Sequence, residues 1–332
     1  NPPQDIRAGR FTSRANGFSW ILVDTDEASL QDDSVKFTLD GSEIDAASLS
    51  FENDGENTIF TYTADDFLPS ESLHLLVVDY TTNNGDSLSR EREFQTPTYG
   101  VVDASLAAEG VDTSAGGFRI RAYSTEPNIQ NRLFFVEQVL RGEHGDNQAN
   151  LGNGPDLDRD GQPDLLFPEA TDGFIDGTVI NYDRFGADVG DFKDPDFIHP
   201  ILTDGTIPGS PGFQTRDSGT GNAVLEINTY IEFPETAVYT LGVTSDDGFK
   251  VSIAGSNRDA LGNVLGFFDG GRGASPTEFQ FLISEPGIYP VRLLWFNGGG
   301  GSNIEFWSKL ADGTKVLIND PVVIKDLINE DG

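Results

Sequence analysis

The sequence predicts an all-β protein made of two β-sandwich units in tandem. Three observations predict this fold class: short apolar runs alternate with polar residues in both halves of the chain, clusters of Gly, Asp and Asn separate the runs, and only one segment has the spacing of an amphipathic helix. The chain has 332 residues. Since domains typically contain about 100 to 200 residues, two domains are expected.

The first unit is predicted to span residues 1–97. Phe18, Trp20 and Leu22 lie at alternate positions, as the buried face of a strand requires. The run LHLLVVDY at 73–80 is apolar on both faces, which predicts a buried central strand, and the TTNNGDS that follows is typical of a hairpin loop. This order of strands and turns resembles the immunoglobulin-like or fibronectin-III-like modules of exported bacterial proteins.

The remainder of the chain divides into three predicted segments: a polar linker at 98–114, a second unit at 115–322, and a tail or linker to a further domain at 323–332. In the second unit, the segment Asn128 to Arg141 is predicted to be a helix. Apolar residues recur there at spacings of four, three and four, and Gly142 follows as a stop signal. Strand patterning then returns from Leu225 to Trp307, so this unit is predicted to be a second sandwich.

Charge and composition exclude several classes of function. Lys and Arg total 21 against 55 Asp and Glu, a net charge of −34, and such a surface repels nucleic acid and anionic membranes. The absence of Cys removes disulfides, thiol nucleophiles and zinc-thiolate sites. No run approaches the roughly 18 apolar residues of a membrane span. Because the chain contains no Met, we expect a piece of a longer, secreted or surface-anchored protein with further domains.

A first acidic motif lies in the Gly- and Asp-rich segment that precedes the second group of strands. In PDLDRDGQPD, Asp156, Asp158, Asp160 and Asp164 occupy positions 1, 3, 5 and 9 of an EF-hand-like loop, and the Gln162 carbonyl occupies position 7. Position 12 is not Glu, so the last ligand would come from Glu169, Asp172 or Asp176. The motif resembles dockerin-like and thrombospondin-type repeats, and it predicts a structural calcium ion.

A second motif spans the segments YIEFPETAVYTLGVTSDDGFKVSI at 230–253 and GIYPVRLLWFNGGGGSNIEFW at 287–307. In order and spacing these resemble the PA14 domain, a β-sandwich of bacterial toxins, glycosidases, adhesins and yeast flocculins, over about residues 115–320. In the members that bind sugars, two aspartates joined by a cis peptide hold one Ca²⁺ with an Asn and loop carbonyls. The resemblance implies these ligands here: Asp246, Asp247, Asn297 and the carbonyls of Gly299 and Gly301, with Asn303 as a rival for the Asn role.

The function implied by this resemblance is calcium-dependent carbohydrate binding. Two carboxylates, an amide and two carbonyls supply about five of the six to eight oxygens that Ca²⁺ prefers, which leaves positions for water or sugar hydroxyls. Phe267, Phe268 or Arg272 could contact the ligand, or their loop could close the sandwich instead. Equally, the aspartate pair with Gly248 could be a plain polar turn.

Three function classes remain open on the sequence. The first is a lectin-like module of a bacterial surface protein, for adhesion or polysaccharide targeting. The second is a structural spacer in which calcium only stabilises the fold, and the third is an accessory part of a polysaccharide-degrading enzyme. We expect no catalytic residues, because His74, His144 and His199 lie in no nucleophile or metalloprotease motif.

Overall fold

A computed structural model describes residues 5–114, 116–124, 131–145, 147, 174–183, 189–192, 205–206, 223–256 and 258–320. The chain divides into two compact units after Tyr99. Over the described residues, strands predominate, with one α-helix and three 3₁₀ turns besides. The predicted all-β fold class is therefore confirmed.

The first unit consists of eight strands: β1 (Arg7–Arg14), β2 (Gly17–Val23), β3 (Lys36–Leu39), β4 (Ser42–Glu43), β5 (Leu49–Asn53), β6 (Asn57–Thr63), β7 (Leu73–Thr81) and β8 (Ser87–Gln95). They form two four-stranded antiparallel sheets, in the orders β1-β2-β6-β5 and β4-β3-β7-β8. Phe18, Trp20 and Leu22 are buried in one core with Phe37 and Phe60, as their alternation predicts. The specific immunoglobulin-like or fibronectin-III-like resemblance stays a prediction.

Strand β7 differs from its predicted burial. It is a central strand of its sheet, but only His74, Leu76, Val78 and Tyr80 are buried, and Leu73 on the opposite face is 68% exposed. An antiparallel sheet can keep one face in solvent. The apolar residues on both faces of LHLLVVDY therefore do not make it a strand buried on both sides.

The second unit contains thirteen strands and one helix among the described residues: β9 (Gly100–Val102), β10 (Phe118–Ser124), α1 (Leu133–Leu140), β11 (Phe174–Gly177), β12 (Asn181–Asp183), β13 (Gly205–Thr206), β14 (Ala223–Phe233), β15 (Ala237–Asp246), β16 (Gly248–Ile253), β17 (Asn263–Phe268), β18 (Ser275–Ile283), β19 (Gly287–Asn297), β20 (Asn303–Lys309) and β21 (Lys315–Leu317). A six-stranded sheet has the order β11-β10-β14-β19-β16-β17. A seven-stranded sheet has the order β13-β12-β20-β15-β18-β9, with β21 paired to β20.

One core cluster draws on both sheets of this unit. Trp295 and Phe249 contribute from the six-stranded sheet, Phe281 and Phe306 from the seven-stranded sheet, and all four are fully or almost fully buried. Strand β9 lies inside the predicted linker 98–114, but it pairs in parallel with β18 as an edge strand. Part of the predicted linker is therefore part of the second unit.

The single described helix is shorter than predicted. It begins at Leu133 rather than Asn128, because Asn131 has a left-handed φ of 48° and Arg132 is extended, at φ −140° and ψ 136°. It ends just before Gly142, whose φ of 77° stops it as predicted. Val136 and Val139 pack on Leu294 and Phe296, which places the helix on the six-stranded sheet. Among the described residues, no helix has the length and apolar character needed to cross a membrane.

Candidate metal and ligand site

Two chain segments of the second unit bring the residues of the predicted calcium site to one end of the sandwich. Strand β15 ends at Asp246 and β16 begins at Gly248, so Asp247 is the single residue between the strand of the seven-stranded sheet and the strand of the six-stranded sheet. Asp246 lies opposite Asn303 on β20, whereas Gly248 lies opposite Phe296 on β19. The peptide bond between the two aspartates is cis. The glycine loop, residues 298–302 with glycine at 298–301, connects β19 to β20 at the same end.

Asp247 holds two loops together. Its Oδ2 accepts a hydrogen bond from the Gly298 amide at 2.9 Å, and its Oδ1 accepts one from the Arg272 amide at 2.9 Å. Its side chain is nearly buried, and the Ser245 hydroxyl donates to its carbonyl at 2.8 Å. The carboxylate is thus fixed in place by donors from opposite sides.

Asp246 is the less satisfied member of the pair. Its carbonyl accepts a hydrogen bond from Trp295 Nε1 at 3.1 Å. Burial raises the pKa of its carboxyl group to about 6, and the neighbouring Asp247 carboxylate adds to the rise while Arg272 opposes it. Two carboxylates held together away from solvent favour a bound cation, because a cation offsets both the burial and the repulsion.

The glycine loop approaches this pair closely. Gly299 and Gly300 have φ values of 145° and 88°, which side-chain-bearing residues rarely adopt. A Cβ added at Gly301 would lie 2.7 Å from Asp246 Oδ2. Glycine at these positions thus brings the loop backbone to the aspartates, as loop carbonyl ligands would require.

The two asparagines proposed for the amide ligand lie on different sides of the aspartate pair. Asn297 is fully buried beside Gly298, and its Oδ1 accepts from the Gly299 amide at 3.1 Å, while its Nδ2 has no partner among the described residues. Asn303 is fully buried opposite Asp246, and its Oδ1 has no partner there. The structure therefore brings both asparagines to the site and leaves each with one unsatisfied polar atom.

Sequence analysis missed one residue of this site. Asn131, which was assigned to the helix, lies against the glycine loop: a Cβ at Gly298 would overlap its Oδ1, and a Cβ at Gly271 would lie 3.0 Å from its Nδ2 and 3.4 Å from Asp247 Oδ1. The start of α1 is fastened nearby, because Asp269 Oδ1 accepts from the Leu133 amide at 2.7 Å. The only available signal was that Asn tolerates a left-handed backbone.

Arg272 is engaged within the protein. Its guanidinium donates to the carbonyl and hydroxyl oxygens of Ser245 and to the Thr277 hydroxyl, at 2.8 to 3.1 Å, and it stacks 4.3 Å from the Phe268 ring centroid. These contacts hold the loop that binds Asp247. Phe267 is instead 58% exposed. Of the three predicted ligand contacts on this loop, Phe267 is the one that the geometry leaves most accessible.

The donor set fits calcium better than a transition metal. Over the described part of the chain, no three His, Cys, Asp or Glu side chains come together as a metal site. A cation at Asp246 and Asp247 must therefore also take amide and carbonyl oxygens. Hard oxygen ligands of this kind suit Ca²⁺, whereas zinc sites use nitrogen and sulfur as well.

The predicted EF-hand-like loop, with Asp156, Asp158, Asp160, Gln162 and Asp164, lies outside the described residues, and so do its possible last ligands Glu169 and Asp172. Four further aspartates, Asp188, Asp191, Asp194 and Asp196, follow in the sequence, and of these the structure describes only Asp191. Its carboxylate accepts from Lys315 Nζ at 3.0 Å and from the Thr244 hydroxyl at 2.5 Å. Asp191 is therefore partnered within the second unit.

The first unit contains a hydrogen-bonded row of Asp40, His74 and Ser72. His74 Nδ1 lies 2.7 Å from Asp40 Oδ2, and its Nε2 lies 2.6 Å from Ser72 Oγ. A catalytic serine would need its hydroxyl free for attack. Here the Ser72 hydroxyl donates to the Pro69 carbonyl at 2.5 Å, and the Leu75 amide donates to Asp40. The row ties two turns together.

Comparison with known proteins gives one family match and several distant structural similarities. Residues 202–261 match the family model of the PA14 domain, and no curated protein matches the chain. Among solved structures, a PA14 sugar-binding domain from an RTX adhesin is 14% identical, with 61% of this chain and 95% of that chain covered and a TM-score of 0.37. The A domain of epithelial adhesin 9 from Candida glabrata, in complex with Galb1-3GlcNAc, is 13% identical over 67% and 93%, with a TM-score of 0.40.

Proposed function

We propose that the second unit binds carbohydrate through a calcium ion held by Asp246 and Asp247. One observation carries the proposal: two adjacent carboxylates are held at the crossing between the sheets, under a glycine loop whose backbone reaches them. The strand that ends at Asp246 and the two aspartates lie within the segment that matches the PA14 family model. Asn297 and the Gly299 and Gly301 carbonyls would complete the protein ligands.

The chemistry of the ion explains why a sugar is the expected ligand. Calcium takes six to eight oxygens, and the proposed protein ligands supply about five. The open positions suit the vicinal hydroxyls of a sugar ring, which are neutral oxygen donors at the right separation. A chain with a net charge of −34 also disfavours anionic ligands, and a neutral saccharide carries no such penalty.

We expect Phe267 to offer an apolar contact for the sugar ring. Phe267 precedes the loop that holds Asp247, and its side chain is 58% exposed. An aromatic ring exposed beside a polar site can cover the apolar face of a sugar. Arg272 stabilises the loop that follows Phe268 through its contacts with Ser245 and Phe268.

Binding to a glycan and polysaccharide array tests the proposal. The chain would be applied in calcium and in chelator, together with Asp247→Asn and with Asp79→Asn, which removes a charge from an exposed position of the first unit. We expect binding that requires calcium, that Asp247→Asn abolishes and that Asp79→Asn retains. Binding that persists in chelator would contradict the role of the ion.

The competing function is a structural module in which calcium only stabilises the sandwich. The two loop amides that bind Asp247 favour it, because they show that this carboxylate already organises the end of the sandwich. This alternative predicts no array binding but a calcium-dependent rise in melting temperature that Asp247→Asn removes. The array and the melting curve together separate the two functions.

The proposed setting is a secreted or cell-surface bacterial protein. In that setting the first unit would act as a spacer, and further domains of the same polypeptide would supply anchoring or enzymatic activity. Extracellular media also contain the calcium that both predicted sites would need. The expected partner is a polysaccharide or a glycan on a neighbouring cell.

A further inference from the structure

Strands β12, β20 and β15 lie side by side and carry a row of polar residues next to the proposed calcium site. Asp183 lies opposite Asn303, and Asn303 lies opposite Asp246. Directly opposed residues on antiparallel strands share one face of a sheet, with their Cβ atoms about 4.5 to 5.5 Å apart. The row therefore consists of the Asp183 carboxylate, the Asn303 amide and the Asp246 carboxylate. Asp183 and Asn303 are both fully buried.

The hydrogen bonds of Asn303 show how its side-chain amide is oriented. Its Nδ2 donates to the Val189 carbonyl at 3.1 Å and lies 3.5 Å from Glu305 Oε1. The amide nitrogen is thus turned toward Val189 and Glu305, and the Oδ1 is turned away from them. That oxygen is buried and has no partner among the described residues. A buried amide oxygen flanked by carboxylates lacks a donor, and a cation would meet this need.

Residues 189–192 contact both this row and the neighbouring one, and the Val189 amide donates to Asp183 Oδ2 at 3.4 Å. The Asp191 and Phe192 amides donate to the Glu305 carboxylate at 2.9 to 3.2 Å. Glu305 is thereby satisfied by backbone donors and is not needed as a ligand. The unsatisfied acceptor is instead Asn303 Oδ1, in the row that ends at the aspartate pair.

We propose that Asp183, Asn303 and Asp246 hold a second divalent cation, calcium by the chemistry of its ligands, next to the ion proposed at Asp246 and Asp247. Side chains from three neighbouring strands can converge on one ion above the middle strand. Asp246 would bridge the two ions. The two asparagines then have separate roles, with Asn297 on the Asp247 side and Asn303 on the Asp183 side. This second site shares Asp246 with the proposed function but does not require sugar binding.

Counting bound calcium by native mass spectrometry of the full chain tests the proposal. The variants are Asp183→Asn, Asp247→Asn, their combination, and the surface control Asp79→Asn. We expect each single site variant to lose one calcium ion relative to the control and the double variant to lose two. A double variant that loses only one ion would mean a single shared site, and an Asp183→Asn protein that loses none would also overturn the proposal.

Asn303→Asp provides a second test that does not depend on removing a buried group. The added carboxylate should lower the melting temperature in chelator and enlarge the rise produced by calcium, because the ion would then meet a third carboxylate. An unchanged or smaller calcium-induced rise would overturn the proposal. Loss of array binding in Asp247→Asn reports on the sugar site alone, so failure of the proposed function and failure of the second cation site remain distinguishable.

Discussion

Individual residues at the end of the second sandwich show why glycine recurs there. Gly301 lies where a methyl group would meet Asp246 Oδ2 at 2.7 Å, whereas a methyl group at Gly273 would meet nothing within 4 Å. For this run of four glycines, the resemblance implied that the carbonyls of Gly299 and Gly301 approach an ion. It could not show that different glycines of the run approach different partners, Asn131 in one case and Asp246 in the other.

Gly301→Ala should weaken calcium binding, because the new methyl group pushes the loop away from Asp246. Overpacking of this kind costs about 1 to 3 kcal/mol. The calcium-induced rise in melting temperature should therefore shrink, while Gly273→Ala should behave as the wild type. Equal calcium responses in the two variants would contradict the close approach of the loop.

Phe267→Ala should weaken sugar binding without changing calcium binding. The ring is exposed on β17, the strand that leads into the loop of Arg272, and aromatic contacts contribute about 0.5 to 1.5 kcal/mol. Affinity for the glycan identified on the array should fall about two- to thirteenfold, as measured by calorimetry. Leu261→Ala, at a side chain 92% exposed, is the matched control. An equal loss in both variants would rule out a specific contact by Phe267.

At the scale of elements, helix α1 is attached to the six-stranded sheet by a buried ionic network. Glu137 on the helix lies 2.7 Å from Lys250 Nζ and 2.8 Å from Arg292 Nη1, and Arg292 also pairs with Glu226 at 2.8 Å. The helical spacing predicted the apolar contacts of Val136. It did not predict this network, because the two partners of Glu137, Lys250 and Arg292, come from strands more than 100 residues away.

Glu137→Ala should detach the helix from the sheet. The substitution removes the carboxylate that Lys250 contacts at 2.7 Å and leaves Arg292 with Glu226 as its carboxylate partner, so the loss should be smaller than the roughly 3 to 5 kcal/mol of a fully broken buried pair. Chemical denaturation would measure this loss. The matched control is Glu143→Gln, which breaks the exposed Arg141 pair and should leave the unfolding midpoint unchanged.

The same contact makes the stability of the helix depend on pH. Burial alone would raise the pKa of Glu137, but hydrogen bonds and charges from Arg292 and Lys250 outweigh it and hold the pKa below its usual value of 4.5. The stabilisation is therefore complete above the pKa of the unfolded chain and is lost as the pH falls through the lower folded value. Hydrogen exchange of α1 should accelerate over that acidic range in the wild type and much less in Glu137→Gln.

At the scale of the whole molecule, each unit has its own core, and the division after Tyr99 lies close to the predicted boundary at residue 97. Alternation and turn residues suffice to predict two sandwiches because they report local burial. Strand order and the pairing of Gly100–Val102 depend on contacts distant in sequence, which periodicity does not encode. The meeting of Asp183 with Asn303 is hidden from the sequence for the same reason.

The two units should unfold independently. A fragment of residues 1–99 should fold alone and retain the melting temperature of the first transition of the full chain, because its aromatic core is complete. Calorimetry of the fragment and the full chain checks this. Calcium should move only the transition of the second unit. A single calcium-sensitive transition for the whole chain would contradict independent units.

The crossing at Asp246 and Asp247 also has a mechanical consequence. Because Asp247 alone joins β15, which ends at Asp246, to β16 of the other sheet, the connection between the two sheets has no spare length. Any movement of one sheet relative to the other must displace a carboxylate of the proposed calcium site. Occupancy of the proposed site by calcium and the spacing between the two sheets are thus coupled. A pulling force on the sandwich would therefore change the lifetime of the bound ligand.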